Sequence, residues 1–279
     1  MKLIFLFRSL SAMEDKLAEP HLQCKANDFI HDVKVVHKAV KYIYPHAKIA
    51  FRAIPNIHDT TRSINRYVCF NENLQRWCNN NNSTFLYSYL DGNPRFWNSD
   101  RYLPSMLGAQ NMASILFKQM DLLNTNLKGK QLEDTIHTIT SKFANKTIAQ
   151  SLDKSAPPRK HNIPIGCENS VNCNHHQIIG SSGLNIKWRF PFEPKDEVYI
   201  LLGDESLKYL VYPCINFPPE SYNFCLFTGM VTGAKMTNAV PELRDFNRRF
   251  INNPYSNNKI YKDPTAVILQ FGIHDILPC

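Results

Sequence analysis

The 279-residue sequence is poor in several features that mark particular classes of protein. It has only 10 glycines, and no apolar run approaches the roughly 20 residues that a membrane-spanning helix needs. The N-terminal stretch Lys2-Leu-Ile-Phe-Leu-Phe-Arg8 resembles a signal peptide, but its apolar core is shorter than the core of such signals. The sequence therefore predicts no membrane association and an intracellular location in the cytoplasm.

The eight cysteines show no regular short spacing of the kind found in disulfide frameworks. Cys225 lies within an apolar run, which is typical of a small buried residue. Cys167, Cys173, His175 and His176 offer two thiolates and two imidazoles, which are both suited to zinc. However, the cysteine spacing differs from the usual short zinc loops, and adjacent histidines fit poorly around one tetrahedral ion. The sequence therefore predicts a reducing compartment, no metal site and no cofactor.

Composition and charge indicate a globular chain with a moderately basic surface. The net charge is +8 and 43% of the residues are hydrophobic, which allows one sizeable core. Basic residues are spread along the chain, with a small concentration from Arg244 to Arg249, so a solvated surface is favoured over a dedicated nucleic-acid site. Trp77, Trp97 and Trp188 are too scattered for a base-stacking platform and are predicted to be buried anchors.

Three apolar runs in the last third of the chain each end at a glycine turn. They are Val198 to Leu202, Phe224 to Gly229 and Ala266 to Phe271, the first and last followed by Gly203 and Gly272. A short, β-rich apolar run that stops at a glycine is typical of a buried parallel strand. Three parallel strands are therefore predicted in this part of the chain.

Two further strands are predicted in the first half of the chain, at Ala47 to Pro55 and at Thr84 to Leu90. A helical stretch from about Ile64 to Trp77 separates them, and a second helix begins near Gly108. The apolar face of that second helix carries Ala109, Met112, Ala113, Leu116 and Phe117.

Several blocks in these segments resemble the SGNH, or GDSL-type, hydrolase family of esterases, lipases and acetylhydrolases. They are Gly203-Asp-Glu-Ser-Leu-Lys-Tyr-Leu210, the glycine block at Gly233, Gly272-Ile-His-Asp275 and Asp100-Arg-Tyr-Leu103. The resemblance covers roughly residues 28–118 and 196–279. It implies a flavodoxin-like three-layer α/β sandwich with a five-stranded parallel sheet, and small esters or acetylated molecules as the substrate class.

The order of the blocks differs from the family order, because the aspartate block that closes the family pattern comes first here. Residues 1–118 then correspond to the C-terminal half of such a domain, 119–195 to a linker that is part helical and part irregular, and 196–279 to the N-terminal half. Either the chain is a circular permutant with one sheet, or it holds halves of two tandem domains. The single sheet is favoured, since the termini of compact domains often lie close together.

The resemblance also implies a catalytic set, and this sequence departs from it at three positions. Glu205 stands where the nucleophilic serine belongs, and Ser206 is one residue late. Asp100 matches the family aspartate, but Leu103 replaces the histidine and has no nitrogen to act as a base. His274 replaces the asparagine that donates to the oxyanion.

These departures favour a domain that is impaired or inactive as a serine esterase, in which Ser206 is a helix-turn residue bonded to backbone. One alternative is an active hydrolase that uses Ser206 or Glu205 with His274, with Asp100 or Asp204 nearby. In such a hydrolase, the resemblance implies that Gly233 supplies an oxyanion donor. Gly203 and Gly272 would form the turns beside the site. A second alternative is an interaction module for nucleic acid, because SGNH-like domains also occur in proteins of certain retrotransposons.

Overall fold

Helices and strands alternate along the residues that this computed structural model describes, which are 20–54, 61–88, 96, 104–123, 125, 131–132, 134–139, 141, 175–191, 195–212, 215, 222–252 and 262–272. At 20–25, 61–66 and 175–179 the description is of the backbone alone. The helices are α1 (Pro20–Ile43), α2 (Thr61–Asn80), α3 (Met106–Leu123), α4 (Lys208–Val211) and α5 (Ala239–Phe246). The strands are β1 (Lys48–Arg52), β2 (Thr84–Leu86), β3 (His175–Ile179), β4 (Asn185–Arg189), β5 (Glu197–Gly203), β6 (Phe224–Val231) and β7 (Ala266–Gln270). Single turns of other helix types lie at Glu205–Leu207, Met236–Asn238 and Asn247–Ile251.

All of these strands belong to one sheet, in the order β2-β1-β7-β5-β6-β4-β3. The five strands predicted from the sequence are mutually parallel, and β7 pairs with β1 on one side and with β5 on the other. Counted from β5, the parallel strands have the spatial order 2-1-3-4-5 of the flavodoxin-like doubly wound sheet. The predicted α/β class is therefore confirmed, and strands from both ends of the chain share the sheet.

Helices cover both faces of the sheet and give it two cores. Side chains alternate along a strand, so on β5 Val198, Ile200 and Leu202 enter one core, whereas Tyr199 and Leu201 enter the other. The first core packs against α1, α2 and α5, and the second packs against α3 and α4. Burial on both faces explains why these strands are continuous apolar runs in the sequence.

Helix α3 has a defined start and end. The Ser105 hydroxyl accepts a hydrogen bond from the Gly108 N–H at 3.1 Å, which satisfies one of the free donors in the first turn. At the other end, the Lys48 ammonium donates to the carbonyl of Leu123, where a cation is favourable. The predicted helix from Gly108 is therefore confirmed, and its predicted apolar face is buried.

The segment 119–195, expected to be a linker with an irregular second part, contains a β-hairpin instead. Strands β3 and β4 are antiparallel, and β4 pairs antiparallel with β6, so the hairpin extends the sheet. Its turn is Gly180 to Gly183, where the Gly183 N–H donates to the Gly180 carbonyl at 3.0 Å. The buried carboxylate of Glu242 accepts from the Ser182 N–H at 2.7 Å and holds this turn against α5. Gly180 and Gly183 thus bound a hairpin turn between two short strands.

Replacing Trp188 tests whether the hairpin is part of the cooperative fold. Trp188 is 3% exposed, and its ring centroid lies 4.6 Å from that of Phe246. We expect Trp188→Ala to lower the free energy of unfolding by about 3–5 kcal/mol, because it leaves a large cavity. The measurement is equilibrium unfolding in urea. Tyr42→Ala is the control, since the Tyr42 side chain is 82% exposed and should change stability by less than about 0.5 kcal/mol. Equal effects would contradict an integral hairpin.

The half-buried His37 predicts a pH dependence of stability. Its ring lies edge-on to Trp77 at 5.2 Å, and burial, followed by the nearby Lys41 charge, lowers the pKa of His37. The unfolded chain then binds a proton more readily, so stability should fall as the pH is lowered through the region below about 6.5. His37→Phe keeps the ring packing and should remove this pH dependence of the unfolding free energy. Urea unfolding at a series of pH values measures it. Tyr42→Ala, at an exposed position, is the control and should give the same pH dependence as the unsubstituted protein.

Candidate functional site

The carboxyl ends of β5 and β7 meet at the point where the order of the parallel strands in the sheet reverses. From β5 the chain continues to β6 on one side, whereas β7 lies on the other side of β5. In open α/β sheets such a switch point is the usual place for ligands. Four polar side chains converge there, and all of them are buried: Arg52 at the end of β1, Gln270 at the end of β7, and Asp204 and Ser206 after β5.

These four side chains form one continuous hydrogen-bonded chain. The Arg52 Nη1 donates to the Gln270 Oε1 at 2.6 Å, and the Gln270 Nε2 donates to the Ser206 Oγ at 2.5 Å. The Ser206 hydroxyl in turn donates to the Asp204 Oδ1 at 2.6 Å. Every bond points from the cation toward the carboxylate, so each one polarises the next in the same sense. We call this set the buried relay.

The electrostatics of the buried relay follow from its burial. Desolvation lowers the pKa of Arg52 to about 9, which still leaves the guanidinium protonated at neutral pH. Its Nη2 donates to the Met112 carbonyl of α3 at 3.0 Å, whereas its Nε has no hydrogen-bond partner among the described residues. The Asp204 Oδ1 also accepts from the Ser206 N–H at 3.0 Å. Arg52 and Asp204 are therefore linked through two neutral side chains, Gln270 and Ser206.

Gly203 lets the backbones of β5 and β7 approach closely beneath the buried relay. The Asp204 N–H donates to the Gln270 carbonyl at 3.1 Å. A Cβ at position 203 would lie 2.2 Å from that carbonyl oxygen, which is inside any normal contact. Glycine is required here by the close approach of two chains, as is common where a strand runs next to a site.

Glu205 faces the other way, toward the turn after β6. Its carboxylate accepts a hydrogen bond from the Gly233 N–H, and Gly233 has a φ of 72°, in the region that favours glycine. Its neighbour Ser206 is 3% exposed and lies in the buried relay. One step along the chain thus separates a buried hydroxyl from a surface carboxylate.

The structure places some of the predicted site residues and not others. Ser206 meets Asp204 and Gln270, and Glu205 meets Gly233. Gly272 follows β7 with a φ of 134°, and a Cβ there would lie 2.2 Å from the Ile54 Cδ1. Asp100 and His274, together with the expected anchor Trp97, lie outside the described residues. The predictions that Trp77 and Trp188 are buried anchors are confirmed.

Sequence reasoning missed two members of the buried relay, Arg52 and Gln270. Each is the single polar residue near the end of an otherwise apolar strand: Ile49-Ala-Phe-Arg52 and Ala266-Val-Ile-Leu-Gln270. Both strands are buried on both faces, so a charged or amide side chain at their carboxyl ends must find partners inside the protein. A polar residue at the end of an apolar run was therefore the sequence signal that could have identified Arg52 and Gln270.

Comparison of the chain with protein-family models, curated proteins and solved structures gave no match. Within the described ranges, no cluster of three or more histidine, cysteine or acidic side chains has an arrangement that could hold a metal ion. The helices of the same ranges include none that is long and apolar enough to cross a membrane.

A double-mutant cycle tests the link between Arg52 and Gln270. Gln270→Leu leaves the Arg52 Nη1 unpaired, and Arg52→Met leaves the Gln270 Oε1 unpaired, so each should cost at least about 2 kcal/mol of unfolding free energy. The double variant removes both polar groups and should cost less than the sum, with a coupling of about 0.5–3 kcal/mol. Urea unfolding of all four proteins measures this. Additive losses would mean that the two side chains act independently.

Proposed function

We propose that this protein is an SGNH-hydrolase-like domain in permuted order whose switch-point site is impaired or inactive as a serine esterase. The parallel strand order, read from β5, supports the permuted arrangement. The proposed loss of activity rests on Ser206, whose buried hydroxyl donates one hydrogen bond to Asp204 and accepts another from Gln270. Glycines lie at or just after the ends of β5, β6 and β7, while Ser206 and Glu205 are bonded to other groups of the protein.

Among the described residues, the Ser206 hydroxyl bonds to a carboxylate and an amide and to no histidine. An activated serine needs a base that removes its proton and an open path to a substrate carbonyl. Here its proton is directed at the Asp204 carboxylate, and its oxygen accepts from the Gln270 amide. Only 3% of Ser206 is exposed. These contacts suit a structural hydroxyl that links the turn after β5 to the end of β7.

Glu205 supports the same proposal from the surface side. The resemblance implies that Gly233 supplies an N–H to the oxyanion of a tetrahedral intermediate. In this protein the Glu205 carboxylate accepts from that N–H. A fixed negative charge on an oxyanion donor opposes a second negative charge in the same place. The Glu205–His274 acid–base pair raised by the sequence would have to work from this occupied position.

The setting that we propose is intracellular and reducing. Cys78 and Cys225 are free thiols within the core, and burial raises the pKa of both, which makes them unreactive at neutral pH. If catalysis persists, small esters or acetylated molecules are the substrate class that we propose.

Hydrolysis of short-chain aryl esters, with labelling by a fluorophosphonate probe, tests the proposal. We expect the purified protein to give no turnover above buffer and no labelling, and Ser206→Ala, Glu205→Ala and His274→Ala to leave that result unchanged. Ser206→Ala should nevertheless lower stability by about 1–3 kcal/mol, because Asp204 and Gln270 lose a partner.

Turnover or labelling that disappears in one of the three variants would overturn the proposal and identify the working group. A known serine esterase serves as the positive control for substrate and probe. Ser114→Ala, at an exposed serine of α3, is the matched control for the serine-to-alanine change.

A further inference from the structure

Helix α1 presents a cationic face to solvent on the side of the sheet away from the buried relay. Its inward face is apolar: Phe29, Val33, Val36 and Val40 are all buried. Its outward face carries three exposed lysines, Lys34, Lys38 and Lys41. The spacing of four and three residues places them in one row, which spans about 10 Å along the helix.

The row of lysines is not matched by carboxylates on its own helix segment. No aspartate or glutamate lies between positions 33 and 46, and the helix carries Asp28 and Asp32 before that segment. Among the described residues, neither Lys34 nor Lys38 lies within ion-pair distance of a carboxylate. Lys41 differs, because its ammonium donates to the Ala47 carbonyl at 3.3 Å near the end of the helix.

Helix α5 continues the positive charge beside α1. The Tyr44 hydroxyl donates to the Leu243 carbonyl at 3.3 Å, which joins the end of α1 to the middle of α5. Arg244, the next residue, is exposed. Arg248 and Arg249 follow but share the carboxylate of Asp245 at 2.6 and 2.7 Å, so they add less net charge.

An unusually exposed aromatic ring lies in this positive surface. Tyr42 follows Lys41 directly, and its side chain is 82% exposed, while the neighbouring Val35 is 47% exposed. A single exposed apolar group is ordinary on a protein surface. An exposed ring beside a row of exposed lysines has a more specific use, because bases stack on such rings while phosphates meet the cations.

We propose that the surface formed by Lys34, Lys38, Lys41, Tyr42 and Arg244 binds single-stranded nucleic acid. The lysines and the arginine neutralise backbone phosphates, and the Tyr42 ring stacks on an unpaired base. A duplex offers the phosphates but keeps its bases paired, so the ring favours the single strand. The net charge of +8 adds long-range attraction for the same ligand.

Fluorescence anisotropy of a labelled oligothymidylate, titrated between about 50 and 200 mM salt, tests the proposal. Lys34→Gln with Lys38→Gln should weaken binding and reduce the slope of log affinity against log salt by about 1.4, since each lysine accounts for about 0.7 on a single strand. The matched control is Lys118→Gln with Lys208→Gln, on α3 and α4 of the opposite layer, and it should leave the slope nearly unchanged.

The ring is tested separately from the charge. Tyr42→Ala should weaken oligothymidylate binding by about five- to a hundredfold without changing the salt slope, whereas Tyr42→Phe should bind like the unsubstituted protein. All of these positions are at least partly exposed, and far-ultraviolet circular dichroism checks that each variant folds.

Four results would overturn the proposal. They are no binding of the oligomer, equal effects of the two lysine pairs, no effect of Tyr42→Ala, and stronger binding to phosphatidylserine vesicles than to the oligomer. The second and third would mean attraction of any polyanion, and the fourth would mean a membrane surface. Ester hydrolysis has no bearing on these readings.

Discussion

Burial of the Arg52 guanidinium governs how the carboxyl edge of the sheet is built. A cation removed from water must be hydrogen-bonded and compensated, or it destabilises the fold by several kcal/mol. Arg52 is 1% exposed, and its two terminal nitrogens bond to Gln270 of β7 and to the Met112 carbonyl of α3. Gln270 and Ser206 link it to the Asp204 carboxylate. Three strands and a helix are thereby fixed relative to one another at a point where apolar packing alone would leave them less specified.

The same requirement limits the chemistry of this edge. In open α/β folds the switch point holds ligands because polar groups there are left for them to bind. Here the protein's own side chains use those groups: the amide of Gln270 and the carboxylate of Asp204 hold Ser206, and Glu205 accepts from the Gly233 N–H. The Ser206 hydroxyl completes a buried hydrogen-bond network. Moving it toward a substrate would take a hydrogen-bond partner from both Asp204 and Gln270, which opposes a role as a nucleophile.

The two helical layers differ in what they present. The layer of α3 and α4 packs over the buried relay and joins it through Met112, whereas the layer of α1 and α5 carries the row of exposed lysines and Arg244. Beyond β6 the hairpin of β3 and β4 extends the sheet, which keeps that parallel strand from being an unpaired edge. Glu242 of α5 holds the hairpin turn, so the layer of α1 and α5 also fixes this end of the sheet.

The five parallel strands and the helices α2 and α3 could be predicted from the sequence, because apolar periodicity and glycine turns are local properties of the chain. The hairpin was missed because its strands have only five residues each and lie in a segment that was expected to be irregular, although the alternation of polar and apolar residues in β4 is typical of a strand. Asp204, Ser206 and Glu205 could be named from a block of neighbouring residues, but their partners could not. Arg52 and Gln270 are 218 positions apart, and only the pairing of β1 with β7 brings them together. Hydrogen bonds between distant segments depend on strand order, and strand order is decided by how the whole sheet packs.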